Sequence, residues 1–282
     1  MTLDFGAGTD TLTLSNVTTG LVDADFHSQI TAGTLTNLTL ASGTANTVVL
    51  GSSAKTAGVV TVTASGTGND AITLHDAVTS IDTDAGNDTI TIPAAGLEAA
   101  PTVDGGAGTD SVVLSDVTTG LVDADFANFV ASTVGTITLA ADTANTVVLG
   151  SNAKTAGVTT ITASGSGNDA ITLHDAITSF DTDAGNDTVT VTAAIAEALS
   201  AGGMTLDFGA GTDSLTLSDA TTGLVDADFH AQIAAGTLTN LDLAANTANT
   251  VVLGSSAKTA GVVSITASGS GNDAITLHDA IT

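Results

Sequence analysis

Asp70 and Asp88 stand eighteen residues apart, each at the acidic end of a Gly-containing turn, and Asp169 and Asp187 repeat the interval. Residues 65–91 divide into three nonapeptides, Ser65-GTGNDAIT, Leu74-HDAVTSID and Thr83-DAGNDTIT, whose strand residues Ile72, Ile81 and Ile90 are nine apart. If two nonapeptides make one coil, the two Asp residues lie on the same edge of successive coils, about 4.8 Å apart. Carboxylates at that separation repel strongly unless a positive charge stands between them. A calcium ion suits such a site, because it takes 6 to 8 oxygens at about 2.3–2.6 Å and accepts carboxylates and carbonyls together. Gly66, Gly68 and Gly86 allow the backbone to turn its carbonyls inward.

These turns sit in a repeat. Residues 1–79 align with 204–282 at 67 identities out of 79, and GAGTD at 6–10 recurs at 106–110 and 209–213. A fixed long period is the mark of a repeat architecture. The units run 1–103, 104–203 and 204–282, the last incomplete. Met1 aligns with the interior residue Met204, and Thr282 with Thr79 in mid-repeat, so the expectation is one continuous solenoid cut from a longer array. MTLDFG carries neither a basic nor an apolar leader, so no export signal is expected within these residues.

Within each unit, short runs alternate with period two between Gly, Asn and Asp: TLTL at 11–14, TVVL at 47–50, VVTVT at 59–63, AITL at 71–74 and TITI at 89–92. Such runs are strands. Their centres step by about 9 to 12 residues, which leaves turns between them, so parallel strands must stack as a solenoid. The expected fold is all-β, a parallel β-solenoid with one short helical turn per unit. That turn is placed at LVDADF, where Val22, Phe26 and Ile30 fall at i, i+4 and i+8, with a bulged strand as the alternative. Asp23 and Asp25 there are read as helix-start residues and not as ligands. Segments 93–104 and 192–207 read as longer turns.

Composition agrees. The net charge is −27, with 30 acidic and 3 basic residues, so the basic footprint of a nucleic-acid binder is missing. There is no Cys, which removes disulfides and Cys zinc sites. Aromatics are 2 %, so a thin core of short aliphatics is expected in place of a thick globular one. No apolar run reaches the ~18 residues of a membrane span.

Gly105-GAGTDSVV matches the G-G-x-G-x-D-x-U-x nonapeptide, and the Phe5, Phe208, Ser65, Ser164 and Ser268 copies are looser versions of it. In these turns the chain resembles the RTX (repeats-in-toxin) calcium-binding proteins. In its wider unit it is similar to bacterial surface-layer and large extracellular repeat proteins. The resemblance implies a β-roll binding several Ca²⁺ ions, each held by the Asp carboxylates and turn carbonyls of two successive same-edge turns. Carried over, one site uses the carbonyls of Ser65 and Thr67 with Asp70, closed by the carbonyls of Asp84 and Gly86 with Asp88. A second uses Thr83, Ala85 and Asp88 with Gly106, Gly108 and Asp110, across a 22-residue step whose four extra residues must loop out. The next unit supplies Ser164, Ser166, Asp169, Asp183, Gly185 and Asp187, with Asp213 following across 26 residues. Asp10 and Asp273 belong to the same set near the two ends. RTX turns normally run in long uninterrupted series, whereas here two or three alternate with metal-poor strands.

Other candidates read blandly. His75, His174 and His278 each precede an Asp and are expected as surface pairs; His27 and His230 are Ala127 in the middle unit. Lys55, Lys154 and Lys258 occupy one equivalent position in the loop SxAKTAG. They are expected as gatekeeping turn charges or as contacts to an acidic neighbouring chain. No nucleophile elbow occurs, and no enzyme is expected.

The function expected is structural: a Ca²⁺-stabilised extracellular solenoid of a bacterial surface layer, fibre or adhesin stalk. Its partners would be identical neighbouring chains and, in addition, a cell-surface polysaccharide, with no nucleic acid. The alternatives are a binding module of adhesin or ice-binding type, or the calcium-binding tail of a secreted toxin or protease. An ice-binding ladder of turn residues is disfavoured, since Thr67 becomes Ser166 and Ser270 and the turns are not consecutive.

Overall fold

A computed structural model describes residues 3–26, 30–199, 204–229, 233–234 and 236–277. They fall into two compact units, Met1–Thr138 with Thr155–Val158, and Leu139–Lys154 with Thr159–Thr282. Each unit is a parallel β-solenoid.

In the first unit one sheet runs Thr11–Thr13, Asn37–Thr39, Thr61–Thr63, Ser80–Asp82, Thr102–Asp104, and every neighbouring pair is parallel. A second runs Thr47–Val49, Ala71–Thr73, Thr89–Ile92, Ser111–Leu114, Thr136–Thr138, again all parallel. From Asn37 to Leu114 the chain alternates between the two, so each coil gives one strand to each sheet. The alternation of side chains along a strand then sorts them by face. Leu38, Val62, Ile81 and Val103 stack in register inside one sheet, Val48, Ile72, Ile90, Val112 and Ile137 inside the other, and all are buried. Each such side chain contributes about 1.5–3 kcal/mol by leaving water. Ile72 faces Ile90 in one sheet while Ile81 lies in the other, as two nonapeptides per coil require.

The second unit repeats the arrangement. One set of strands is Thr160–Thr162, Ser179–Asp181 and Thr205–Asp207; a longer set is Thr146–Val148, Ala170–Thr172, Thr188–Val191, Ser214–Leu217, Asn240–Leu243 and Ser264–Ala267. A third comprises Leu224–Val225, Thr250–Leu253 and Ala274–Leu277. Phe180 stands where Ile81 stands in the first unit and packs edge-on against Phe208, with ring centroids 5.1 Å apart. Among the described residues no helix is long and apolar enough to cross a membrane.

The helical turn expected at LVDADF is present as a 3₁₀ turn, at Asp23–Asp25, Asp123–Phe126 and Asp226–Phe229. It does not extend to Ile30, because Ile30 bridges to Leu3 and the Thr31 N–H donates to the Leu3 carbonyl at 2.9 Å. Sheet pairing there takes the backbone groups that a helix would need.

Two further kinds of helix among the described residues differ from the expected turns. SxAKTA is an α-helix at Ser52–Ala57, Ser151–Ala156 and Ser255–Ala260, and the long turns contain helices at Ala94–Glu98 and Ala193–Glu197, followed by the strands Thr102–Asp104 and Thr205–Asp207. The helix at 52–57 stops at Gly58, whose φ of 106° lets its N–H return to the carbonyls of Ala54 and Lys55. Five or six helical residues rise less than ~10 Å and fit inside one coil.

Candidate metal site

The Asp residues singled out by spacing form one buried column in each unit. The N–H of Asp70 donates to Oδ1 of Asp88 at 2.7 Å, and the N–H of Asp88 to Oδ1 of Asp110 at 2.7 Å. Asp169 donates likewise to Asp187 at 2.7 Å and Asp187 to Asp213 at 2.8 Å. The steps of 22 and 26 residues thus join as closely as those of 18. The 22-residue step carries the helix Ala94–Glu98 and the 26-residue step the helix Ala193–Glu197, and both leave the column unbroken. All six side chains are between 0 and 3 % exposed.

Each carboxylate uses one oxygen for the preceding coil. The other oxygen of Asp88, Asp110, Asp187 and Asp213, and of Asp10, is buried with no hydrogen-bond partner. Burial pushes the carboxyls of Asp88, Asp110, Asp169 and Asp213 above their ordinary value, against the opposing pull of the N–H bonds and, at Asp88, of the neighbouring Thr83 hydroxyl, which itself donates to the Gly105 carbonyl. Asp187 is pushed up to about 6 by the same burial, with the neighbouring charges of Asp213 and Asp169 adding to it. An unpaired buried carboxylate oxygen costs about 1–3 kcal/mol or more, so the column calls for positive charge. The orphaned oxygens of Asp88, Asp110, Asp187 and Asp213 fit a hard, oxygen-seeking cation such as Ca²⁺.

The turn carbonyls assigned as ligands are placed as follows. Ser65 and Ser164 each accept one inter-coil bond, from the N–H of Gly43 at 2.9 Å and of Asp142 at 3.0 Å; Asp84 and Asp183 accept from Ala107 at 2.7 Å and Ala210 at 2.8 Å. Each oxygen keeps a second lone pair. Thr83 is buried, its N–H donating to the Asp104 carbonyl and its hydroxyl to that of Gly105 at 3.2 Å. Ala85 bridges to Ala107. A Cβ on Gly106 would lie 1.3 Å from the Asp84 oxygen, and one on Gly108 1.5 Å from that of Gly86, so the turns stack backbone on backbone and only glycine fits. The Gly86 turn rests in the same way on Gly68, and the Gly185 turn on Gly167. Thr67 and Ser166 are exposed, Ser166 donating its N–H to Asp142 at 3.2 Å. The side chains of Asp84 and Asp183 bind the N–H of Gly66 and Gly165, both at 2.9 Å. Asp273 is exposed and accepts from the N–H of Asn249 at 2.9 Å. Among the described residues no three acidic or histidine side chains converge on one point. The carboxylates stand in single file, and main-chain oxygen would have to complete any coordination shell.

Two features were not anticipated. An outer ladder runs beside the Asp column: Asn69 Oδ1 accepts from Asn87 N–H at 2.9 Å and Asn87 Oδ1 from Thr109 at 2.9 Å, in the opposite sense to the Asp bonds. The repeated GND string was its signal. Asp23 accepts the N–H groups of Gly51 at 2.7 Å, Ser53 at 3.0 Å and Ala54 at 2.9 Å, capping a helix one coil onward; Asp226 does the same at Gly254, Ser256 and Ala257. It is Asp25 that caps its own turn, accepting from Val22 at 3.0 Å.

His75 and His174 are buried, not surface residues, and their Nδ1 atoms accept the N–H of Ala77 at 3.2 Å and Ala176 at 3.0 Å. His27, His230 and His278 lie outside the described residues. Lys55 and Lys154 pair within the chain with Asp76 at 2.7 Å and Asp175 at 2.8 Å, across exposed surface.

Set against protein-family models, curated proteins and solved structures, the chain matches none of them.

Proposed function

We propose that this chain is a structural, Ca²⁺-stabilised β-solenoid of the RTX kind, working outside a bacterial cell as part of a surface layer, fibre or adhesin stalk. The observation that carries the reading is the set of buried, partnerless Oδ2 atoms at Asp88, Asp110, Asp187 and Asp213. Asp70, Asp88 and Asp110, and Asp169, Asp187 and Asp213, would hold the ions, with turn carbonyls of Thr83, Ala85, Gly86, Gly106 and Gly108 completing the shell in the first unit. The cation supplies the positive charge that the column lacks. The residues themselves bring the carboxylates into file and exclude water from them.

Such a chain couples order to its medium. An ion that binds the folded column and not the flexible chain stabilises the fold by about 2.7 kcal/mol per site at one hundred times its dissociation constant. A charge of −27 opposes compaction until those ions arrive. Identical neighbouring chains are the proposed partners, with cell-surface polysaccharide as an anchor.

The test is far-UV circular dichroism of the chelated chain during Ca²⁺ addition, followed by electron microscopy of the product. The reading expects a gain of β signal that Mg²⁺ does not reproduce, and ordered assemblies. A β signal and a melting temperature in chelator that Ca²⁺ leaves unchanged defeat it.

One observation favours a second reading as a binding module. Thr11, Asn37, Thr61, Ser80 and Thr102 stand in register on an outward face, with Thr13, Thr39 and Thr63 beside them. This ladder comes from strand residues and not from the turns, and retention of the chain on ice or on insoluble glycan would test it.

A further inference from the structure

Asn46 is fully buried and occupies a place in the Asp column, one coil before Asp70. Its Oδ1 accepts the N–H of Thr18 at 3.2 Å, as Oδ1 of Asp88 accepts that of Asp70. Its own N–H donates to Oδ1 of Asp70 at 2.6 Å, as that of Asp70 donates to Asp88. The two residue types therefore do the same thing with the first side-chain atom and differ only in the second. In Asn46 the second atom is Nδ2, which donates to the carbonyls of Ala41 and Thr44, both at 3.0 Å, and to Asp70 Oδ1 at 2.8 Å. In Asp88 and Asp110 it is an oxygen, buried and without a partner.

The pattern recurs. Asn145 Nδ2 donates to Ala140 and Thr143 at 3.0 Å and to Asp169 at 2.9 Å. Asn249 Nδ2 donates to Ala244 at 3.0 Å, Thr247 at 3.3 Å and Asp273 at 2.7 Å. The backbone changes with the side chain. In the Asn turns the left-handed residue lies three before the column residue, at Gly43, Asp142 and Asn246, with φ of 75°, 56° and 59°. In the Asp turns it lies four before, at Gly66, Asp84 and Gly106, with φ of 115°, 62° and 75°. The Asn turns are built to aim two carbonyls at a donor held inside them.

We propose that Asn46, Asn145 and Asn249 are metal-independent locks that decide which turns of the column take a cation. In their turns the amide Nδ2 supplies the positive end that a cation supplies in the Asp turns. This rests on the calcium reading of the Asp turns. Its consequence is that carboxylates come in short blocks, Asp70–Asp88–Asp110 and Asp169–Asp187–Asp213, each headed by a coil that closes without metal. Charge does not build up along the whole edge, and every repeat retains a turn that stays shut in calcium-poor medium.

Reciprocal exchange tests it. The isosteric variants Asn46→Asp and Asp88→Asn are melted in chelator and in Ca²⁺, and bound Ca²⁺ is counted at saturation. Asn46→Asp is expected to lower Tm in chelator, to recover in Ca²⁺ and to bind one ion more than wild type. Asp88→Asn is expected to raise Tm in chelator by about 2–4 °C, the shift for ~1 kcal/mol in a chain of this size, and to bind fewer ions. The proposal is overturned if Asn46→Asp is equally destabilised with and without Ca²⁺, or if Asp88→Asn lowers Tm in chelator. Should Asn46→Asp fail to fold in either medium, Asp88→Asn decides alone. A wild-type chain that takes up no Ca²⁺ defeats the calcium reading, whereas the opposite shifts in chelator judge the lock separately.

Discussion

The main-chain N–H of Asp88 donates to Oδ1 of Asp110 at 2.7 Å, although the two residues are twenty-two apart in sequence. The bond has the same length as the one between Asp70 and Asp88, eighteen apart. The column is therefore set by the stacking of coils and not by an unbroken nonapeptide count. Asp110→Ala should then cost as much as Asp88→Ala, about 1–3 kcal/mol each for the stranded buried N–H. Urea denaturation of both variants in chelator measures this without any contribution from metal. A markedly milder loss at Asp110 would mean that the 22-residue coil is only loosely joined.

Without metal, the column should prefer acid. A carboxyl whose folded-state pKa is raised binds more protons folded than unfolded, so its contribution is present below the unfolded value and lost as pH rises through the folded one. For Asp187 that window runs from 3.8 to about 6. Asp88, Asp110, Asp169 and Asp213 act in the same direction. His75, whose pKa burial lowers from 6.5, works oppositely, removing stability as pH falls. Comparing Asp187→Asn with wild type between pH 4 and 7 (in chelator) isolates the carboxyl. The difference in Tm should grow with pH in favour of the variant, and a constant difference contradicts the account.

The helix Ser52–Ala57 depends on a residue outside it. Its N-cap is Gly51, which has no side chain, and Asp23 supplies the missing acceptor. Burial works against the Asp23 charge, but the N–H bonds from Ala54, Ser53 and Gly51 outweigh it and hold the carboxyl below its ordinary value. Asp23→Ala should cost about 1–2 kcal/mol, the loss of a good cap. Asp23→Asn should keep most of it, and the remainder should disappear from wild type as pH falls through the depressed carboxyl pKa. Chemical denaturation at pH 7 and pH 3 reads both effects.

Gly6 and Gly106 hold equivalent places in the GAGTD motif, with φ of 76° and 75°. A Cβ at Gly6 meets nothing within 4 Å, while one at Gly106 would lie 1.3 Å from the Asp84 oxygen. Backbone strain being equal, Gly6→Ala should cost about 1 kcal/mol, and Gly106→Ala about 3 kcal/mol more from overpacking. Thermal melts of the two variants compare stacking alone. Equal losses would show that the turns can separate at little cost.

Much of the fold is readable in the chain because period and register are the same fact here. The nine-residue spacing of Ile72, Ile81 and Ile90 places two of them face to face and the third in the opposite sheet. The helix at 52–57 is not readable locally, because its cap, Asp23, precedes Gly51 by twenty-eight residues and carries no sequence link to it. Only the Ala-rich stretch and the following Gly58 hint at it. Asn46 escapes for a related reason. Its turn, Ala41-SGTAN, lacks the GxGxD pattern, and its role shows only when the strand Thr47–Val49 is seen beside Ala71–Thr73. His75 reads as a surface His-Asp pair, yet the corner that follows Ala71–Thr73 folds it inward.

The most direct measurement is isothermal titration of Ca²⁺ into the chelated chain, alongside the Asp88→Ala, Asp187→Ala double variant. Loss of one column carboxylate from each unit should remove sites that Mg²⁺ cannot fill. The account predicts saturable binding of several ions to wild type and clearly fewer to the variant. Absence of Ca²⁺ uptake by a folded wild-type chain, or an unchanged ion count in the variant, would contradict the claim that the buried Asp column is a cation site.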